Sequence, residues 1–423
     1  MSTPSDFKRA RIRRRSYPAL LLMLALVSAC SSQPPAETSQ QTAIAATDSP
    51  SPLPAPTIET TAEATSEATA EATNEAASEP APPTESLTTT LSLITETVTL
   101  ASPQPLQNTE IVDRPLRNMR ALTDGSRKYR IALWSPGADW IAATPQDGPG
   151  LDAINVSSGE VRAIVTDTFV LEPVWLDATT LLVHRTAGDR DQLVRVTLTE
   201  QGTKSDPLVT NAPPLRGIGT GGGVVAFSTS EQLSVLSQPT RQDIPLPIPA
   251  LITAPLPQTE DGLTVAINPV VPNLESISTL LVHITGTRAA DRVTITPLSN
   301  PDEGLWLPRW SRDGSRLALT SIEGRIVASN RDGSERYNLG PGDLPAWSPD
   351  GTRLAYAGTS AGLEFLDRDI HIVDWRGQES RLRLTDANEE QFFTSPSWSP
   401  DGTQLACVEI DDGKIYVGAL PVR

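Results

Sequence analysis

Trp347-Ser-Pro-Asp-Gly-Thr-Arg-Leu-Ala355 decides how this chain is read. Proline presets φ and glycine supplies a positive φ, so Pro349-Asp350-Gly351 is a tight turn, and a tryptophan closes the strand before it. The same pattern stands at Trp310-Ser-Arg-Asp-Gly-Ser-Arg-Leu-Ala318 and at Trp398-Ser-Pro-Asp401-Gly402-Thr-Gln-Leu-Ala406. Trp134-Ser-Pro-Gly-Ala-Asp-Trp-Ile-Ala142 is a looser copy, and Trp175-Leu-Asp-Ala-Thr-Thr-Leu-Leu182 a degenerate one. The spacing averages about 44 residues and each unit holds short β-like runs, which is the mark of a β-propeller.

One unit reads as four strands: Leu344–Ser348, Arg353–Ala357, Asp369–Asp374 and Arg381–Thr385. The interval between Trp175 and Trp310 has room for two further blades, around Gly222–Pro247 and Leu263–Leu298. The expected fold is therefore all-β, a propeller of seven blades over residues 108–423, with six and eight as the neighbouring counts. The last unit has room for three strands before Arg423, and residues 115–124 are similar to Arg381-Leu-Arg-Leu-Thr-Asp386. An N-terminal strand is thus expected to complete the C-terminal blade and close the ring, which removes an open edge. The tryptophans are expected to pack between blades.

The repeats resemble the TolB-type β-propeller family, whose repeat is related in shape to WD repeats. The resemblance covers about three quarters of the chain and is specific in the last three blades. Two departures stand out: the periplasmic Tol component carries a separate α/β domain before its propeller, and six blades are usual there.

Upstream the composition changes. Six basic residues lie between Lys8 and Arg15, followed by an apolar run over 17–29. That run is shorter than the roughly 20 residues a spanning helix needs, and it reads as a signal-peptide core. Val27-Ser28-Ala29-Cys30 resembles the lipobox of bacterial lipoproteins, which implies cleavage before Cys30 and a diacylglyceryl group on its thiol. Arg14-Arg15-Ser16-Tyr17 echoes a twin-arginine signal, so the export route stays open. From 30 to 107 follows a Ser/Thr/Ala/Glu/Pro-rich stretch that has neither an aromatic residue nor any Lys or Arg. Such a stretch cannot bury enough apolar surface to offset ordering, so a disordered tether is expected, with glycosylation an open alternative.

The net charge is −17 from 34 Lys+Arg against 51 Asp+Glu, and removal of the basic leader makes the chain more acidic still. That argues against nucleic acid as a partner, because phosphates attract clustered Lys and Arg. Two cysteines, Cys30 and Cys407, exclude a disulfide scaffold. Gly358-Thr-Ser360-Ala-Gly362 matches a nucleophile elbow but lies between two strands, where a hairpin is expected. Gly217-Ile-Gly219-Thr-Gly-Gly222 matches a dinucleotide fingerprint without the helix it needs, and reads as a turn. His184, His283 and His371 fall on middle strands, whereas TolB-like lyases that bind manganese need several histidines converging at the channel. The acidic groups Asp367-Arg-Asp369 and Asp411-Asp412 read as hairpin loops. No catalytic residue, metal ligand or cofactor is expected.

The expectation is an extracytoplasmic lipoprotein on a bacterial membrane, inner or outer. Its monomeric propeller would bind a protein or a glycan at the cell envelope, with loops such as Thr385–Ser397 and Asn268–Ser278 as contact surfaces. The alternative is an envelope hydrolase or lyase acting on peptide or glycan with a site in the propeller channel.

Overall fold

The computed structural model describes residues 110–423 apart from short stretches at 171, 188–189, 222–223, 238–239, 247–248, 257–261, 271–276, 286–291, 360–367, 379–380, 386–390 and 423. The leader, Cys30 and the tether lie outside the described residues.

The described chain is a β-propeller. Its first strand, β1 (Arg117–Ala121), leaves the neighbours that follow it in sequence. Blade 1 is β2–β5 (Tyr129–Trp134, Trp140–Pro145, Leu151–Asn155, Val161–Val165). Blade 2 is β6–β9 (Val174–Trp175, Thr180–Ala187, Arg190–Thr199, Gly202–Ala212). Blade 3 is β10–β13 (Gly217–Gly221, Val224–Ser228, Gln232–Ser237, Thr240–Pro245). Blade 4 is β14–β17 (Ala250–Pro255, Leu263–Pro269, Leu280–Thr285, Arg292–Pro297).

Next comes a seven-stranded sheet, β18–β24 (Leu305–Trp310, Arg316–Ser321, Arg325–Asn330, Tyr337–Trp347, Arg353–Thr359, Arg368–Asp374, Leu382–Arg383). It is two four-stranded sets sharing β21, whose first half pairs with β20 and whose second half pairs with β22. These are blades 5 and 6. β25–β27 (Phe393–Trp398, Gln404–Glu409, Ile415–Ala419) form the last set, and its fourth strand is β1, antiparallel to β27 with Arg117 opposite Ala419.

Apolar side chains lie between consecutive blades. Trp140, Leu151, Leu181 and Val196 fill the space between blades 1 and 2. Leu354, Tyr356 and Trp375 face Ala318, Ile326 and Leu339 between blades 5 and 6. Tyr129, Trp134 and Ile141 of blade 1 pack with Ala406, Val408, Ile415 and Val417 of the last blade, so the first and last sheets share a core. Such side-by-side packing buries both faces of each sheet, which is why the middle strands read as nearly continuous apolar runs.

Four sequence readings need correction. The loops expected over Thr385–Ser397 and Asn268–Ser278 are shorter than that, since 393–397 belongs to β25 and Asn268 is buried within β15. The segment Gly217–Gly221 is itself the innermost strand of blade 3 and pairs with β11; it is not a turn. Asp369 is buried within β23, where its carboxylate accepts from the Thr385 hydroxyl at 2.9 Å, so it is no hairpin residue; Asp367 lies outside the described residues. The middle blades also begin earlier than expected, at Gly217 and Ala250. Their inner strands lack the tryptophan turn that marks the others.

Candidate functional site

The repeat residues build turns. Asp350 Oδ1 accepts from the Ser348 hydroxyl at 2.5 Å and from the Thr352 N–H at 3.0 Å, and Gly351 follows at φ 68°. Asp401 does the same with Ser399 at 2.5 Å and the Thr403 N–H at 3.0 Å, with Gly402 at φ 73°. Burial pushes the Asp350 and Asp401 carboxyls up, but these hydrogen bonds outweigh it and hold both below the ordinary 3.8.

The tryptophans tie each blade to the one before it. Trp175 Nε1 donates to the Leu133 carbonyl at 3.1 Å, Trp310 Nε1 to Ala254 at 2.7 Å, Trp347 Nε1 to Arg309 at 2.8 Å and Trp398 Nε1 to Ala346 at 3.0 Å. Thr220 Oγ1 to Trp175 O and Ser228 Oγ to Ala250 O serve the two blades that lack the tryptophan. At the junction of last and first blades the backbone N–H groups of Ala132 and Trp134 donate to Ser395 Oγ and Ser397 Oγ, while the buried Trp134 Nε1 has no partner. These contacts put the repeat residues in the hairpin turns and at the blade junctions.

Blade 1 carries one visible fault. Ala138 sits at φ 69° where Gly314, Gly351 and Gly402 sit at 67°, 68° and 73°. A left-handed alanine is strained by about 1–2 kcal/mol, part of which the extra chain entropy of glycine offsets. Ala138→Gly is expected to raise stability by about 0.5–1 kcal/mol in urea unfolding, whereas an unchanged or lower midpoint would show the turn relaxed around alanine.

Strand connections place two kinds of loop on opposite faces. The Trp-Ser-x-Asp-Gly hairpins share one face with Ile111 and Val422, which pair where the chain enters and leaves. The other face, here the mouth, carries the loops from second to third strands and those from one blade to the next. Charged side chains gather there. Arg127 holds Asp152 at 2.9 Å, and Tyr129 donates its hydroxyl to the same carboxylate at 2.9 Å. Burial raises both the Asp152 carboxyl and the Tyr129 phenol. Arg368 pairs with Asp343 at 2.9 Å, and Glu409 accepts from the backbone N–H groups of Phe392 and Asp412. His184 Nε2 lies 2.6 Å from Asp191 Oδ2, which also accepts from the Leu215 N–H.

One pair reaches across the ring. Arg309, on the innermost strand of blade 5, donates to Glu172, at the start of blade 2, at 2.5 Å. The loop that carries Glu172 is fastened repeatedly. The Gly150 N–H donates to Thr168 O at 2.9 Å and Arg130 Nη2 to Val170 O at 2.6 Å. Gly150, at φ 136°, permits this approach; a Cβ there would run into the Arg127 guanidinium. Between these fastenings the Phe169 side chain stands 70% exposed. Neither Phe169 nor the Glu172–Arg309 pair was among the sequence candidates.

The histidines lie on β7, β16 and β23, and among the described residues no group of three or more His, Cys, Asp and Glu is arranged to hold a metal. Cys407 is buried and free. His371 is buried beside Tyr356, with Nδ1 unpartnered, and burial, then the Arg381 and Arg383 charges, push it down from 6.5 to about 4. It is neutral in the fold but takes a proton when unfolded below about pH 6.5. The stability it contributes is therefore full above pH 6.5 and lost as pH falls toward 4, by up to about 3 kcal/mol. His371→Phe is expected to flatten that part of the pH profile in urea unfolding at pH 7.5 and 5.0; an identical pH dependence in both proteins would remove His371 as its source.

No protein-family model matches the sequence, and no curated protein matches it. Solved structures match in fold. The RRP9 WD40 repeats are 10% identical, with 74% of this chain and 100% of that chain covered at a TM-score of 0.51. An oligogalacturonate lyase from Vibrio parahaemolyticus is 12% identical, covering 74% and 97% at 0.51. U3-55K is 9% identical, covering 72% and 100% at 0.50. At such identities the likeness is one of fold: this chain is a β-propeller.

Proposed function

We propose that this protein is a membrane-anchored extracytoplasmic lipoprotein, cleaved and lipidated at Cys30, whose propeller is a non-catalytic platform for a protein or glycan of the cell envelope. The observation that carries the binding role is the fastened loop at the mouth. Its backbone is held at the Thr168 and Val170 carbonyls while Phe169 projects into solvent. A pre-ordered aromatic loses little entropy on docking, and interface hot spots are built on such anchors. The WD40 neighbours support a scaffold in fold alone, and the lipobox-like Val27–Cys30 supports the anchor.

Cross-linking in native membranes with mass spectrometry tests this. The wild type is expected in the membrane fraction, joined through mouth loops to a reproducible partner, and Cys30→Ala is expected to abolish both. Membrane retention of Cys30→Ala would overturn the anchor, and absence of any adduct in the wild type would overturn the protein-binding form.

The enzymatic alternative, a hydrolase or lyase, draws on one specific observation. The His184–Asp191 pair at 2.6 Å leaves the histidine partly accessible, as an oriented base would be. Turnover of an envelope peptide or glycan that His184→Ala abolishes, with stability unchanged, would favour that reading.

A further inference from the structure

Residues 111–116, which lead into β1, strap two blades together. The Val112 N–H donates to the Pro421 carbonyl at 2.9 Å, at the end of the last blade. Further on, the Leu116 N–H donates to the Leu384 carbonyl at 2.9 Å, and Asp113 Oδ1 accepts from the Arg383 N–H at 3.0 Å. Those partners stand at the outer edge of blade 6, on and beside the two-residue strand β24. β24 holds to β23 through two register pairs, His371 with Arg383 and Ile372 with Leu382.

His371 lies in that junction. Gly358 on β22 makes room for its imidazole, since a Cβ there would run into the ring. The residue is 8% exposed, and its buried Nδ1 has no partner. A proton on Nδ1 would create a donor with no acceptor in reach. The titratable and charged groups around the ring are Tyr356 on β22, Asp369 on β23, Arg383 directly opposite, Arg381 just before β24, and Asp113 of the strap. Asp369 is already engaged by Arg383 at 3.5 Å and by the Thr385 hydroxyl at 2.9 Å. Asp113 and the Leu382 backbone favour the imidazolium, but burial, Arg381 and Arg383 outweigh them. Like charges directly opposite on neighbouring strands repel.

We infer that this is an acid-sensitive strap: a proton on His371 lifts β24 from β23 and frees residues 113–116 from blade 6. The ring stays closed, because β1 keeps its own ladder with β27. The lifted form returns the imidazole to water and moves both arginines away. Below about pH 6.5 it therefore takes up a proton that the fastened form, with His371 held near 4, does not.

Hydrogen exchange in the full-length protein, read at the Leu116 and Arg383 amides and corrected for the intrinsic rate, tests this. From pH 7.5 to 5.0, opening at both amides is expected to rise about tenfold or more, while the amides of β3 in blade 1 keep their protection. His371→Phe is expected to remove the rise. Arg383→Gln, which removes the opposing charge and keeps the backbone donor, is expected to cut it to a few-fold and serves if the first variant does not fold. Equal opening at the two pH values overturns the proposal. So does a rise that persists in His371→Phe, one undiminished in Arg383→Gln, or one shared equally by β3.

Discussion

A chain that starts at residue 123, and so lacks β1, loses about 4 kcal/mol or more and associates with itself. β1 is the only strand of the last blade that comes from the other end of the chain, pairing with β27 from Arg117–Ala419 to Ala121–Tyr416. Its flanks bury Leu116 and Leu122, at 6% and 7% exposure. Burying one such side chain contributes about 1.5–3 kcal/mol, and the freed β27 edge becomes a template for another copy. Urea unfolding and light scattering read both effects. A synthetic peptide spanning 108–122 is expected to bind the shortened chain and recover much of the loss. Unchanged stability without β1 would mean that the ring does not depend on this strand.

The second large effect concerns the tryptophans. Trp398→Ala removes a side chain that is 7% exposed, leaves a cavity between blades 6 and 7, and is expected to cost about 3–5 kcal/mol. Replacement by phenylalanine keeps most of the packing but forfeits the indole hydrogen bond to the Ala346 carbonyl, at a cost of about 1 kcal/mol. The same exchange at Trp134 forfeits no hydrogen bond, since its Nε1 already has none. Trp398→Phe should therefore be the more damaging of the two in denaturant unfolding. Equal losses would show that packing alone sets the value of these side chains.

Much of the fold was legible because the turn chemistry repeats. Asp350 and Asp401 are needed wherever Ser-x-Asp-Gly closes a hairpin, so the residues recur with the geometry. The inner strands of blades 3 and 4 were hidden because the sequence signature does not follow Gly217-Ile-Gly-Thr-Gly221 or Ala250-Leu-Ile-Thr-Ala-Pro255. A further signal lies in the prolines two residues before three tryptophans. Pro308, Pro345 and Pro396 follow Leu307, Leu344 and Ser395, which stand at φ 53°, 52° and 52° and interrupt the strand register. That repeated bulge marks the inner strands of blades 5, 6 and 7.

The mouth was not legible. Phe169 lies in a connection with no repeat pattern, and nothing local to Glu172 or Arg309 announces a contact made across the ring. Long-range ion pairs follow from the closure of the ring and not from the neighbours of either residue. The buried Asp152 and Asp191, each near the start of a third strand, were equally silent, and Asp369 at the same place was read as a hairpin residue, although each is held by hydrogen bonds.

The central claim is that the mouth, and not the hairpin face, receives the partner. A photo-cross-linking amino acid placed at Phe169 and, separately, at the exposed Arg312 of a Trp-Ser-x-Asp-Gly hairpin tests it in intact cells. Position 169 is expected to yield a discrete adduct, and position 312 none. The same adduct from both positions, an adduct from 312 alone, or none from 169 would contradict the account.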